Sequence, residues 1–478
     1  MTRQDLKKCC RNPVFVCCAV LSLISLVLMF PAVRQMIVSV AENLVVRRPL
    51  RDTGKWDRLM LRYASVQLLA IFGFVFVARN KSLLLTNLVR CARGIRVIHV
   101  FSGLLILSFI VQNFLFISNP DKTGFYLNNI TLGDHYTSVL GGRVLHLGMY
   151  PPLAAVIYRL YASMIPSDLF SGNWTSLAYS NAGTYITLLY YLFSVIPFCL
   201  LCYAYVDGKR WEKFLVAVSL CFSTPFMFAL MRGNIIVLSF CATFFFCQTL
   251  RSKSGFVRAL GLAVLFVAVG TKLYPVAFAA LLVKERRWKE LKACFVMVLL
   301  MFVFMLTFFD GGMSELSNMM GHITNFTSTF KEHHNLSLKR QVWDILSFFG
   351  LAKDTGLFPV LSMIVYLLYI VTSGVLFLLT KKRWVELMLL ALACLFLPGV
   401  VRVYAEIFLI IPIVEMFNCK DKDLILYVSI AFILLMMLFL HGLAYFITDH
   451  TFLVTFPLFA LCSAEVVRER RNPMRIVK

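Results

Sequence analysis

The chain has 478 residues, of which 60% are hydrophobic and only 15% are charged, against roughly 25% charged in an average soluble domain. This composition excludes a disordered chain and argues against a soluble globular protein. The 47 basic and 24 acidic residues give a net charge of +23, and the fourteen cysteines show no disulfide framework or zinc spacing. We attribute the positive charge to the cytoplasmic ends of membrane spans rather than to nucleic-acid binding, because no nucleic-acid-binding module is visible.

Apolar segments recur from one end of the chain to the other. They lie at about 14–33, 60–79, 97–118, 149–166, 182–205, 214–231, 234–250, 259–283, 293–309, 358–380, 386–402, 403–418, 424–446 and 451–467. In lipid such segments must be helices, because no water is present to satisfy their backbone groups. We therefore predict an all-α polytopic membrane protein with about 12–14 transmembrane or re-entrant helices, forming a single membrane domain over residues 1–478.

The charged residues predict which side of the membrane each connection occupies. Eight segments hold 30 basic and 10 acidic residues: 1–12, 79–96, 206–213, 251–258, 284–292, 381–386, 418–423 and 465–478. Because basic residues concentrate on the cytoplasmic side, we place these segments, and with them both termini, in the cytoplasm. The long loops 119–148 and 310–357 then face outward from a plasma or inner membrane.

The apolar segment 259–283 contains a lysine, Lys272, followed by Leu273-Tyr274-Pro275. A charged residue inside an apolar segment needs a counter-charge or a wet cavity, and Pro275 disrupts a helix at this point. A broken helix of this kind is typical of a binding site. We predict that Lys272 binds the phosphate of an anionic headgroup; the alternative is a lysine that extends to the interface.

The tripeptide Arg232-Gly233-Asn234 separates two apolar segments. Gly233 can turn the chain and Asn234 can cap the next helix, so that Arg232 and a helix N-terminus form an anion site. An ordinary polar hairpin tip is an equally good interpretation of these three residues alone.

The first long loop contains Gly133-Asp134-His135-Tyr136 and leads into Tyr150-Pro151-Pro152-Leu153. Asp134 is one of only two acidic residues in this loop, and it has histidine and tyrosine neighbours. The two prolines stiffen the entry to a helix beside Tyr150. A lone aspartate in a loop is usually solvated and inert, but these neighbours make Asp134 a candidate functional residue.

The second long loop contains His333 and His334, followed by Asn335 and Ser337. Adjacent histidines do not face one another on a helix, so we do not favour a metal site. Hydrogen bonding to a sugar or a phosphate is the functional interpretation, and a solvated loop is the alternative.

Residues 398–406 contain Arg402 and Glu406 at the outward end of a span. Their i, i+4 spacing predicts either an ion pair on one helix face or two polar groups that face the long loops.

Taken together, these fragments resemble glycosyltransferase family 87, which has the GT-C fold and uses polyprenyl-phosphate sugars. The similarity rests on the loop aspartate Asp134 and on four motifs in the same order: Tyr150-Pro151-Pro152-Leu153, Arg232-Gly233-Asn234, Lys272-Leu273-Tyr274-Pro275 with Arg286-Arg287-Trp288, and Asn335-Leu336-Ser337-Leu338. It covers about residues 97–420 as a catalytic core, with 1–96 as an apparent two-helix addition and 421–478 as C-terminal helices and a basic tail. Where family members often carry histidines, this chain has Val403-Tyr404-Ala405-Glu406.

The resemblance implies a membrane glycosyltransferase, mannosyltransferase-like, without a cofactor. Its partners would be membrane lipids, a polyprenyl-phosphate sugar donor and a glycolipid or glycan acceptor. Asp134 would be the general base, and Lys272, Arg232, Tyr274 and Arg402 would bind the donor phosphate. The sugar or the acceptor would contact these residues: Asn234, Tyr150, His333, His334, Asn335, Ser337 and Glu406.

Other functional classes fit parts of the sequence. A secondary transporter also uses broken helices and charges within the membrane, but the sequence shows no inverted repeat and its polar residues concentrate in two loops on one side. A polyprenyl-diphosphate-linked glycan polymerase or ligase is the nearest alternative enzyme. A scaffold protein would require neither Lys272 nor the Pro-Pro entry.

Overall fold

The structure is a computed structural model that describes residues 97–118, 133–141, 150–167, 177, 180–328, 335–348, 357–420, 423–438 and 451–471. The predicted spans at 14–33 and 60–79 lie outside the described residues, as do His333 and His334. The same holds for most of the loop 119–148, apart from the short helix that carries Asp134.

The described residues form seventeen α-helices and two 3-10 segments, and they contain no strand. In chain order the helices are α1 (Val97–Ser118), α2 (Gly133–Gly141), α3 (Pro152–Ala162), α4 (Asn181–Tyr205), α5 (Arg210–Cys221), α6 (Thr224–Arg232), α7 (Ile236–Thr249), α8 (Gly255–Thr271), α9 (Ala280–Lys284), α10 (Trp288–Leu306), α11 (Ser314–Ser328), α12 (Leu338–Phe348), α13 (Leu357–Leu379), α14 (Arg383–Phe396), α15 (Ile410–Asn418), α16 (Leu424–Met437) and α17 (Phe452–Arg471). The 3-10 segments are Tyr274–Ala279 and Val403–Leu409.

These helices confirm the prediction of an all-α polytopic membrane protein. Among the described residues, Asn181–Tyr205 and Phe358–Leu379 are single helices long and apolar enough to cross a membrane. The predicted span 214–231 is bent by 55° where α5 meets α6, because Ser223, Thr224 and Pro225 interrupt the apolar sequence there. The predicted span 259–283 is divided by a break at 272–273. The predicted span 386–402 ends early, because residues 397–402 are not helical.

The described chain divides into two compact units. The described residues of the first lie within 341–371 and 463–471, and they pack Val342, Leu346 and Trp343 of α12 against the first turns of α13. The second contains residues 97–340 and 372–462 and holds every described residue of the candidate site.

The centre of the second unit is α14, in which every residue from Trp384 to Phe396 is buried. The 3-10 segment Val403–Leu409 and α15 are buried almost as completely. A helix that is apolar on all sides and buried on all sides is a core helix. Helix α14 therefore provides a fixed surface against which the loop before Val403 is positioned.

Two glycines of α8 allow its neighbours to approach closely. A Cβ atom on Gly261 would collide with the Thr249 side chain of α7. A Cβ atom on Gly270 would lie 2.6 Å from Met301 Cε of α10 and 3.0 Å from Leu153 Cβ of α3. Because Gly270 is two residues before Lys272, this close packing sets the position at which the lysine leaves the helix.

A buried carboxylate joins the basic ends of several helices in this unit. Glu386 lies at the start of α14 with its side chain only 3% exposed. Its carboxylate contacts Lys284 Nζ at 2.9 Å, Arg383 Nη1 at 3.0 Å and Arg251 Nη2 at 3.7 Å. Three cations around one buried carboxylate offset the cost of its removal from water.

Candidate active site

The site is built around Asp134, which lies in the first turn of α2. An amphipathic face fixes this short helix: Tyr136 and Val139 are buried against Ala154 and Tyr158 of α3. The Tyr136 hydroxyl also lies 2.5 Å from Thr187 Oγ1 of α4. The Asp134 carboxylate is thereby directed towards the turn between α6 and α7.

Asp134 accepts hydrogen bonds from two residues that are 98 and 100 positions away along the chain. Arg232 Nη2 donates to Oδ1, and Asn234 Nδ2 donates to Oδ2 at 3.1 Å. The Asp134 side chain is 17% exposed and that of Arg232 is 38% exposed, so a ligand can still reach both groups. These two hydrogen bonds fix the orientation of the carboxylate.

The local sequence explains why Arg232 and Asn234 face the same carboxylate. Gly233 has φ 67° and ψ 35°, a left-handed conformation that glycine adopts without steric cost. Its N–H bonds Leu230 O at 3.0 Å and the Asn234 N–H bonds Ala229 O at 2.9 Å, which together form a Schellman ending of α6. Asn234 Oδ1 then accepts from Ile236 N at 3.1 Å, which confirms the predicted turn, while Ile235 rather than Asn234 is the N-terminal cap of α7.

The hydroxyl of Tyr190 in α4 binds the backbone of this turn. It lies 3.1 Å from both Ala229 O and Asn234 O. These two carbonyl groups lie on either side of the left-handed glycine along the chain, and Ala229 O therefore accepts from both the Asn234 N–H and the Tyr190 hydroxyl. The backbone on both sides of Arg232 and Asn234 is therefore fixed by a buried side chain.

Lys272 occupies the predicted helix break. It is the C-terminal cap of α8 with an extended backbone, φ −147° and ψ 136°, and the 3-10 segment begins at Tyr274. Its Nζ atom lies 4.3 Å from the ring centroid of Tyr150 and 5.8 Å from that of Tyr404. The ammonium group thus lies over two aromatic faces, which stabilise a cation.

The charge of Lys272 is directed into the site. Among the described residues no carboxylate lies within ion-pair distance of its Nζ atom, although Asp134 is close enough to interact with it electrostatically. Tyr404 in turn lies within the electrostatic range of Asp134, Arg232 and Arg402. One carboxylate, three cations and two phenols therefore share one region.

A family model for "Glycosyltransferase family 87" matches residues 149–401, which is more than half of the chain. The chain belongs to glycosyltransferase family 87. No curated protein and no solved structure matches it. The predictions of a transferase and of a membrane protein of this family are confirmed.

The matched residues include Tyr150, Arg232 and Lys272 and end one residue before Arg402. Asp134 precedes the matched residues in the sequence. In the glycosyltransferase the packing of α2 brings Asp134 next to Arg232. The candidate catalytic carboxylate and the predicted donor-binding residues therefore come from separate parts of the chain, and the fold brings them together.

Asn335 and Ser337 support the backbone of the glycosyltransferase rather than extending into the site. Asn335 Oδ1 accepts from Val401 N at 2.8 Å and from Ser337 N at 3.1 Å, and Leu336 N donates to Val401 O at 2.7 Å. Both polar side chains are at most 3% exposed. Asn335 holds the segment that leads into Arg402, and Ser337 Oγ accepts from Arg340 N at 3.3 Å; direct contact of either with a sugar stays a prediction.

The interpretation of Arg402 and Glu406 as a helical i, i+4 pair is wrong for this segment. Residues Val403–Leu409 form a 3-10 helix, with Arg402 as its N-terminal cap. Three residues per turn place positions i and i+3 on one face, not i and i+4. Glu406 is buried, and its Oε1 has no hydrogen-bond partner among the described residues.

Two side chains that sequence analysis did not assign also belong to this region. Tyr404 faces Lys272, and His135 lies behind Asp134 with 1% of its surface exposed. Burial lowers the pKa of His135 to about 4, so the ring is neutral at physiological pH. The only sequence signal for His135 was its position beside Asp134, and for Tyr404 its place where family members carry histidines.

Tyr274 borders the region that contains Lys272, Tyr150 and Tyr404. Its backbone carbonyl accepts from Cys394 Sγ of α14 at 3.4 Å, and its ring packs edge-to-face on Phe408 at 5.7 Å. It lies within electrostatic range of Tyr150 and Tyr404. The core helix thus anchors the segment directly after Lys272.

Proposed function

We propose that this glycosyltransferase moves a hexose, with mannose favoured, or a pentose from a polyprenyl-phosphate donor to an acceptor hydroxyl. The acceptor is lipid-linked or glycan-linked, the reaction takes place on the extracytoplasmic face, and the anomeric configuration inverts. The observation that carries the proposal is the convergence of Asp134 with Arg232, Asn234 and Lys272. A carboxylate beside several cations suits a reaction that needs a base and releases an anion.

Asp134 is the general base in this mechanism. It takes the proton of the acceptor hydroxyl as the oxygen attacks the anomeric carbon. The new C–O bond forms on the face opposite the phosphate, and the bond between the anomeric carbon and the phosphate oxygen breaks. The bonding electrons leave with the polyprenyl phosphate, whose negative charge increases.

The cations stabilise that leaving group. Among the described residues no carboxylate lies at contact distance from the Lys272 ammonium group, and a donor phosphate supplies such an anion. Arg232 holds Asp134 in the absence of a ligand, and its planar guanidinium suits a phosphate as well as a carboxylate. A donor phosphate that draws Arg232 away would leave the carboxylate free to accept a proton. Arg402 and the Tyr274 hydroxyl complete the phosphate site.

The remaining predicted residues surround the sugar and the acceptor. Tyr150 lies beside the Lys272 ammonium group, where its ring can also border a sugar attached to the phosphate. Asn234 binds Asp134 and borders the same space. We assign His333, His334 and Glu406 to the acceptor side on the sequence alone.

The membrane arrangement follows from the same proposal. The catalytic core spans residues 97–420, both termini are cytoplasmic, and the two long loops face outward from a plasma or inner membrane. The polyprenyl chain stays in the bilayer while its phosphate and sugar reach Lys272 and Asp134 at the outer surface.

The test is transfer by the full-length protein in nanodiscs, with a lipid extract as acceptor. Radiolabelled polyprenyl-phospho-mannose, -arabinose and -glucose are supplied separately, and labelled lipid or glycan product is measured. Asp134→Asn should lower turnover about a hundredfold or more, because an amide cannot take the proton. Asp310→Asn, which changes an exposed carboxylate outside the site, is the control. Near-normal turnover by Asp134→Asn, or turnover of none of the three donors, would contradict the proposal.

A further inference from the structure

A cavity lies beside His135, the residue that follows Asp134 on α2. Its volume is about 40 Å³, which is room for about two or three water-sized groups. Three tyrosines and a phenylalanine form much of its wall, with one histidine and one serine: His135, Tyr158, Tyr161, Tyr190, Phe193 and Ser194. Phe193 at its rim is 60% exposed on α4, so the cavity opens to the outer surface of that helix.

One buried polar side chain in this cavity lacks partners. Neither ring nitrogen of His135 has a hydrogen-bond partner among the described residues, whereas the Tyr158 hydroxyl is within reach of the Ser138 side chain and the Ile235 backbone. His135 and Tyr158 are at most 2% exposed. A buried polar group without a hydrogen bond destabilises the protein, so an occupant with hydrogen-bonding groups is favoured.

The lining defines the chemistry of that occupant. None of its side chains carries a charge, since burial keeps His135 neutral. An anion would find no cation here, and a hydrocarbon would leave both ring nitrogens of His135 without partners. Around His135 the ring centroids of Tyr161, Tyr190 and Tyr158 lie at 5.1, 5.0 and 6.0 Å. Aromatic faces beside isolated hydrogen-bonding groups suit a neutral group that has both C–H faces and hydroxyls.

The cavity is connected to the catalytic carboxylate. His135 follows Asp134 directly on α2, and Tyr190 bonds the backbone of Asn234, whose side chain holds Asp134. Asp134 also lies within electrostatic range of Tyr158 and Tyr190. A hydroxylated group seated here can therefore place a neighbouring hydroxyl at the base.

We propose that this cavity, bordered by His135, Tyr158 and Tyr190, is an acceptor subsite that takes one hydroxylated edge of a neutral sugar or cyclitol. This assignment rests on the proposed glycosyl transfer and goes beyond it by locating the acceptor. The cavity admits a hydroxymethyl or hydroxyl edge, and the rest of the ring lies against Tyr161 and Phe193. Because the opening is on the outer surface of α4, a lipid-linked acceptor enters from the bilayer without releasing its lipid.

The test measures binding of neutral glycosides to the full-length protein in nanodiscs. The probes are the methyl glycosides of mannose, glucose, galactose and arabinose, followed by saturation-transfer NMR with irradiation of aromatic protons. Two variants change the cavity from different helices: His135→Phe removes the ring nitrogens, and Ser194→Met fills the space. Thr184→Met is the matched control, because Thr184 is exposed on the same helix as Ser194. Mannose 1-phosphate is the separate probe of the donor site.

We expect His135→Phe and Ser194→Met to weaken glycoside binding about tenfold or more and to leave mannose 1-phosphate binding unchanged. Unchanged phosphate binding also shows that the variants are folded. Lys272→Met should show the opposite pattern. Unchanged glycoside binding in both cavity variants, or no glycoside binding by the wild type, would overturn the subsite.

The binding test distinguishes an acceptor sugar in the cavity from a donor sugar there. If both cavity variants lose glycoside and mannose 1-phosphate binding together, with normal elution profiles, the cavity holds the donor sugar and the acceptor assignment is overturned. If the wild type binds no methyl glycoside but transfers sugar from a polyprenyl-phosphate donor, the subsite fails while the proposed function stands.

Discussion

Replacing Lys272 with methionine tests the donor-phosphate site most directly. Methionine keeps the length of the side chain and its contact with Tyr150, and it removes only the charge. An ammonium and a phosphate about 4 Å apart attract each other by about 4 kcal/mol at the effective dielectric constant of a protein surface. Since Arg232 shares the same anion and is partly exposed, we expect about half to three quarters of that energy to be lost.

A loss of about 2–3 kcal/mol corresponds to donor affinity roughly thirty- to a hundred-and-fiftyfold weaker. Turnover should fall as well, because the leaving phosphate carries more charge in the transition state than in the donor. Lys272→Arg should rescue only part of the loss, since a planar fork does not replace a compact ammonium group. Lys289→Met, which removes an exposed lysine of α10, should bind the donor as the wild type does.

The assay is equilibrium binding of a radiolabelled polyprenyl-phospho-sugar to each variant in nanodiscs, followed by single-turnover transfer. Each variant is first compared with the wild type by its elution profile. Wild-type donor affinity in a normally eluting Lys272→Met protein would refute the argument. Lys272 would then be a lysine stabilised only by Tyr150 and Tyr404.

Three further predictions test sidedness, packing and protonation. Cysteines introduced at Thr137 and Ser328 should both react with an impermeant reagent in intact cells, and reaction at one alone would contradict a common outer face for the two loops. Gly270→Ala should destabilise the protein by about 1–3 kcal/mol and weaken donor binding, because its Cβ would meet Met301 and Leu153. Thermal stability equal to that of the wild type in nanodiscs would contradict this prediction, since α3 and α10 would then move apart without cost. Because the pKa of His135 falls from 6.5 to about 4 on folding, the unfolded chain binds a proton that the folded one excludes. Stability should therefore fall by up to about 3 kcal/mol between pH 6.5 and 4, and His135→Phe should lack this component in parallel thermal unfolding scans.

The sequence predicted those parts of the site that depend on local structure. The break at Lys272 was predictable because Pro275 and a charged residue interrupt an apolar segment. The turn at Gly233 was predictable because glycine directly after a helix-ending arginine has a known conformation. Both predictions required no more than a few neighbouring residues.

Long-range packing accounts for what the sequence did not predict. Nothing local indicates that Asp134 meets side chains 98 and 100 residues later, and only the resemblance linked them. The same limit applies to Asn335, whose partners are backbone groups at Gly399 and Val401. The pairing expected of Arg402 and Glu406 failed because it assumed α-helical spacing in a segment that forms a 3-10 helix instead.

The left-handed turn at Gly233 has a consequence for how variants of this enzyme will behave. Arg232 and Asn234 are separate residues, but one peptide conformation sets the direction of both side chains. A side chain at position 233 would strain that conformation and displace two ligands of Asp134 together. The change would therefore act as a double substitution. It would displace the Arg232 cation from Asp134, the proposed base, and release the orientation of the Asp134 carboxylate. Altering position 233 together with either neighbour should add little further loss, so the three residues behave kinetically as a single functional group.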